Sequence, residues 1–251
     1  MFNVSLPAVL CLLACAALPL FAVAEPADYV QTPRVEAGET EIGFKFGTFR
    51  PSGGRRESSR ESAAALGIGH GMTDWWSSEV YFLYQRDPAG ATALEALEWE
   101  NTFRLLDEGE SGLAMGFIIE LQRSRDRSEG HEVLFGPLLE KHLGRLRLNL
   151  NLLFSGEHRS DNASRTQFGY QFQARYPLHP SADIGMQAFG SMGRWNDWAP
   201  RSEQFHRLGP AVFGTFTVGG QYRIYYDAAL LFEAANRQKG RTLRTALSYE
   251  F

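Results

Sequence analysis

Leu243-Arg244-Thr245-Ala246-Leu247-Ser248-Tyr249-Glu250-Phe251 closes the chain on an aromatic residue and alternates along its length. Leu243, Leu247, Tyr249 and Phe251 fall on one side of an extended segment, and Arg244, Ser248 and Glu250 fall on the other. Successive side chains of a strand point to opposite faces, so one face here is apolar and the other polar. This is the lipid-out, water-in pattern of a transmembrane β-barrel strand.

Working back from that strand, period-two runs of roughly ten residues, each ended by Gly, Pro, Asn, Asp or Ser, recur about a dozen times. They cover Thr40 to Arg50, Glu61 to Gly69, Trp75 to Arg86, Leu94 to Leu106, Leu113 to Arg123 and His131 to Lys141. The rest cover Arg145 to Ser155, Arg165 to Tyr176, Ala182 to Met192, Gly209 to Val218, Gln221 to Ala234 and Arg241 to Phe251. Short connections at Gly71 to Asp74, His142 to Gly144 and Gly219-Gly220 interleave with long polar ones, as between a periplasmic and an extracellular rim. An open sheet in hydrocarbon would leave edge N–H and C=O groups unpaired at several kcal/mol each, so the strands must close. The expected fold is all-β, a closed antiparallel transmembrane barrel of about 12 strands over residues 40–251.

At the other end, Met1 to Ala24 carries no charged side chain and closes on Ala22-Val23-Ala24, which reads as a cleavable signal peptide over residues 1–24. Residues 25–39 lack periodicity and are expected to be a flexible lead. Both cysteines, Cys11 and Cys15, lie within the signal, which excludes thiol chemistry, disulfides and zinc–thiolate sites from the mature chain. The formal charge of -4 with interspersed signs argues against nucleic acid as a partner. His70, His131, His142, His179 and His206 are scattered without ligand spacing, so neither metal nor cofactor is expected.

The alternation also assigns faces. Leu146, Leu148, Leu150, Leu152 and Phe154 point to lipid while Arg147, Asn149 and Asn151 point inward. Extended to every run, it lines the lumen with Glu79, Glu98, Glu100, Glu120 and Glu140 from the first half and Arg145, Arg147, Arg175, Arg223 and Arg244 from the second. Such walls either set a transverse field that orients and selects solutes or pair across strands and fill the bore, Glu140 with Arg147 or Arg145 first among them. A barrel of about a dozen strands lies between those filled by side chains and those that leave a channel.

Two further constellations stand at the outer rim. The loop carrying Trp195, Asp197, Trp198, Glu203 and His206 combines aromatics with acid and imidazole, as a ligand site or as an interfacial aromatic belt. His158 and Ser160 stand two residues apart and resemble the His-x-Ser fragment of the outer-membrane phospholipase A family. That resemblance implies Ser160 as nucleophile and His158 as base, although the Asn-Gly that follows the family's serine is Asp161-Asn162 here.

Gly69-His70-Gly71-Met72-Thr73-Asp74-Trp75-Trp76 resembles the Gly-x-Thr-Asp turn of uncharacterised and transporter-annotated proteobacterial outer-membrane barrels, the phenol-degradation MetA-type proteins among them. The resemblance includes the Trp-x-x-Trp rim loop and the terminal Tyr249-Glu250-Phe251, and it implies passive permeation. The expectation is therefore a monomer in the bacterial outer membrane, a narrow pore or uptake channel for small solutes. Its partners are outer-membrane lipid and the barrel-assembly machinery, the latter through the strand ending at Phe251. A non-conducting barrel that binds a ligand or partner through its outer loops, and a lipid hydrolase, are the alternatives.

Overall fold

Branched and aromatic side chains suit a pleated surface, and each alternating run folds as a strand. The computed structural model describes residues 27–52, 61–86, 90–126, 128, 130–158, 165–235 and 239–251. The signal-peptide expectation therefore lies outside the described residues. The strands are β1 (Thr40–Pro51), β2 (Glu61–Gly71), β3 (Trp76–Arg86), β4 (Thr92–Leu106), β5 (Leu113–Ser124), β6 (His131–Leu143) and β7 (Leu146–His158). They continue as β8 (Gln167–His179), β9 (Ala182–Arg194), β10 (Asp197–Trp198), β11 (Phe205–Val218), β12 (Tyr222–Ala235) and β13 (Gly240–Glu250). Among the described residues no helix is long and apolar enough to cross a membrane, and crossing falls to the strands.

Twelve of these strands form one closed antiparallel ring, in which β13 returns to β1 and β9 bonds to both β8 and β11. The two-residue β10 is an extra piece that folds back on the end of β9. At the seam Ile42 faces Tyr249 and Phe44 faces Leu247, and Thr40 and Phe251 exchange both backbone hydrogen bonds at 2.9 Å. Closure thus removes every long edge, the condition a sheet must meet in hydrocarbon. Both termini of the barrel lie at the end with the short turns, where Gly144, Gly219 and Gly220 take positive φ. That end is periplasmic in this architecture.

The exterior is apolar. Ile42, Phe44, Leu66, Ile68, Phe82, Leu97, Leu121, Leu150, Ile184, Val212, Leu243 and Leu247 are all exposed. A water-soluble protein rarely shows a continuous apolar patch of even a few hundred Å², so this surface is built for acyl chains. Aromatic rings border it. Phe117, Phe135, Phe154, Phe168 and Trp198 run from strand to strand towards the outer end, with centroids 5.3 to 6.4 Å apart. Trp75, Trp76 and Phe103, with Tyr222, Tyr249 and Phe251, do the same at the periplasmic end.

The lumen differs from the expectation in two ways. It holds apolar side chains as well as polar ones: Ile118, Leu138 and Leu153 form one buried cluster, and Phe189, Ala211, Phe213, Ala229 and Leu231 form another around Val30. It also holds the amino-terminal lead. Residues 27–39, expected to hang loose, enter at the periplasmic mouth and run inside the barrel, with Ala27, Val30, Gln31 and Val35 buried. Space for them comes from β2, whose inner face is Ala63, Ala65, Gly67, Gly69 and Gly71. A Cβ at Gly67 would collide with the Tyr81 ring, and one at Gly71 would collide with the Glu36 carbonyl oxygen.

Candidate functional site

The acidic side chains gather because register brings them level. Glu79 on β3 faces Glu100 on β4, and Glu100 faces Glu120 on β5, with Glu98 two residues further along β4. Carboxylate oxygens of Glu98, Glu100 and Glu120 lie within 4.8 Å of one another, a set that could share a cation. The positive charge supplied locally is Lys45 on β1, whose ammonium stands 3.3 Å from the Tyr29 ring centroid and 3.5 Å from that of Tyr81. Tyr81 donates to Glu79 at 2.7 Å, and Tyr29 and the Gln31 amide both donate to Glu100 at 2.7 Å. Two residues of the lead therefore satisfy the most deeply placed carboxylate of the wall.

The basic side is paired for the most part, Arg147 least. Arg244, fully buried, bonds Gln187 at 2.5 Å and Asp227 at 3.1 Å. Arg175 bonds Asp183 at 2.5 Å. Arg223 bonds Glu36 at 2.9 Å, Glu250 at 3.1 Å, and Glu39. The Arg223 hydrogen bond holds the Glu36 carboxyl, at the periplasmic mouth, below its ordinary value. Glu140 is buried and reaches Arg147 only at 3.9 Å, taking a closer bond from the Asn149 amide at 2.9 Å. Arg145 does not line the bore. It is exposed at the β6–β7 turn, where it donates to the Pro177 carbonyl at 2.9 Å and stands over the Tyr176 ring.

Opposed walls thus exist in geometry but not in net charge. Asp183, Asp227 and the lead's Asp28 and Glu36, all absent from the sequence reading, together with Glu250, pair with Arg175, Arg207, Arg223 and Arg244, while one lysine stands among the glutamates. Arg207 was also missed. It is 2% exposed, pairs with Asp28 at 3.1 Å and lies over the rings of Phe189 and Phe205. The carboxyl groups of β3 to β5 are therefore the part of the described lumen with the fewest cationic partners.

Beside the innermost described residues of the lead, Ala27 to Gln31, the bore holds open space. A cavity of about 250 Å³ occupies the outer half of the barrel, and Asp28, Glu98, Glu120, Gln122, Glu132 and Tyr170 are among the residues that line it. Above it, the rim loop folds down onto the wall. Trp198 stacks on Phe168 at 6.0 Å, Trp195, Asp197 and Glu203 are exposed, and His206 bonds Tyr170 at 3.0 Å and Gln204 at 2.9 Å. His158 ends β7 opposite His131. Ser160, and with it the proposed nucleophile–base pair, lies outside the described residues.

No protein-family model matches the chain, and no curated protein matches it. Solved structures do. An outer membrane channel from Pseudomonas putida F1 superposes with a TM-score of 0.61 at 15% identity, covering 90% of this chain and 98% of that one. The NanC porin superposes at 0.58 and 9% identity over 83% of this chain and 98% of that one. The KdgM porin in complex with disordered oligogalacturonate gives 0.51 at 9% identity over 82% and 97%. The chain has the fold of an outer-membrane β-barrel.

Proposed function

We propose that the protein is a narrow outer-membrane pore that admits small solutes and favours cations. The observation that carries this reading is the cavity of about 250 Å³ left between the lead and an acidic wall. Barrels of about eight strands fill their interior with side chains; this ring keeps open space lined by ionisable groups, as a permeation path does. The similar solved structures, a channel and two porins, support the reading. The amphipathic carboxy-terminal strand ending at Phe251 would be what the barrel-assembly machinery handles.

One observation favours a second reading, a non-conducting barrel that takes a ligand from outside. The lead crosses the lumen and ties Glu100, Asn151, Gln171, Arg207 and Arg223 together. Liposome swelling separates the two. Vesicles carrying the folded barrel should admit a small cation such as choline faster than protein-free vesicles. Entry no faster than into protein-free vesicles would overturn the pore and leave the ligand-binding barrel, whereas equal, raised rates for choline and for a small neutral sugar would overturn the cation preference alone.

A further inference from the structure

A second cavity, of about 240 Å³, opens at the opposite end of the barrel, between the periplasmic turns after β6 and β8. Its lining is basic: His142, Arg145, Arg147 and Arg175, with Asp183 as the acidic member. Register places Arg147 on β7 directly opposite Arg175 on β8. Like charges facing each other across neighbouring strands destabilise a sheet, and here each has partial relief only. Arg175 uses its Nε on Asp183 at 2.5 Å. Arg147 uses its Nε on His142 at 3.0 Å, with Glu140 no nearer than 3.9 Å.

Among the described residues, no hydrogen bond engages the terminal Nη atoms of either arginine. Arg145 adds a third guanidinium at the rim, anchored on the Pro177 carbonyl, and Arg34 of the lead adds to the positive potential at Arg147. Two planar forks with open donors, side by side on a cavity, match an anion that presents two oxygens. We propose that Arg147 and Arg175 form an oxyanion site at the periplasmic mouth, which takes the carboxylate or phosphate group of a small molecule, with Arg145 at its edge. The site goes beyond the pore reading, since binding there requires no passage.

Calorimetric titration of the folded, full mature chain in detergent tests the site, with inorganic phosphate and benzoate as probes. Saturable binding of at least one probe is expected, weakened about tenfold or more by Arg147→Gln and by Arg175→Gln. The exposed Arg201→Gln at the other rim should bind as the unaltered protein does. Phosphate binding alone marks the source as a phosphate group, and benzoate binding alone marks it as a carboxylate; either supports the site. Folding of each variant is checked by heat-dependent gel mobility. Should Arg175→Gln fail to fold because Asp183 is stranded, Arg175→Gln with Asp183→Asn removes both partners and carries the same expectation. The proposal is overturned if neither probe binds, or if the arginine variants bind as the unaltered protein does.

Discussion

Arg207 on β11 and Asp28 in the lead are 179 positions apart in sequence and form an ion pair at 3.1 Å inside the barrel. The pair joins the segment that precedes the first strand to the outer end of β11. Charge-assisted hydrogen bonds contribute about 1.5–3 kcal/mol, so Asp28→Asn should loosen the lead without unfolding the barrel. Hydrogen exchange of backbone amides over residues 27–35 should speed up while that of β11 is unchanged. Unchanged exchange in the lead would show that the pair does not hold it.

Lys45 holds the acidic wall together. It is 6% exposed, caught between two tyrosine rings and close to Glu79 and Glu98. Removing one member of a buried charge network leaves the others uncompensated, at a cost of about 3–5 kcal/mol. Lys45→Met should lower the urea midpoint accordingly, and adding Glu98→Gln should restore part of the loss. A midpoint unmoved by Lys45→Met would mean that the glutamates do not depend on it.

Acid should release the lead at its periplasmic end. The Arg223 hydrogen bond depresses the folded-state pKa of Glu36. A carboxyl depressed in this way contributes its full stabilisation above the unfolded value, and the contribution is lost as pH falls through the folded one. Proteolysis within residues 34–38 should therefore accelerate once pH falls below the ordinary glutamate value of about 4.3. In Glu36→Gln the rate should already be raised at neutral pH and vary less with acid. Equal pH dependence in the two proteins would remove Glu36 from the account.

Facing can be tested on one strand. Leu150 and Asn151 are neighbours on β7, the first 38% exposed to the outside and the second fully buried inside. Arg at a mid-bilayer lipid-facing position costs about 2–4 kcal/mol. Leu150→Arg should destabilise the barrel by that amount in liposomes but much less in detergent. Equal losses in both media would place Leu150 away from acyl chains.

The ring of twelve strands was legible because lipid and lumen impose a strict period of two, which leaves its mark on runs such as Leu146 to Phe154. Interruptions hid the rest. Gly209-Pro210 and the irregularity between His206 and Arg207 masked the first turn of β11, which starts at Phe205, and Arg207 was lost with it. The short β10 leaves no periodic trace. Lys45 sits on the polar face of its run, but its aromatic partner Tyr29 comes from a segment without pattern. Hydrogen bonds between the lead and side chains of the barrel wall span 69 to 187 positions, and nothing local in Asp28, Tyr29 or Gln31 announces them. Arg145 had the right parity for the lumen but lies beyond the last ladder pair of β6 with β7, where the turn carries it out to the rim.

The reversal potential of single-channel current across a planar bilayer, measured in a potassium chloride gradient, bears most directly on the claim that an acidic wall governs passage through this barrel. The unaltered protein should show small currents that reverse on the cation side, and Glu98→Gln with Glu120→Gln should move the reversal towards zero. Absence of current at every salt concentration, or a reversal potential that the double substitution leaves in place, would contradict it.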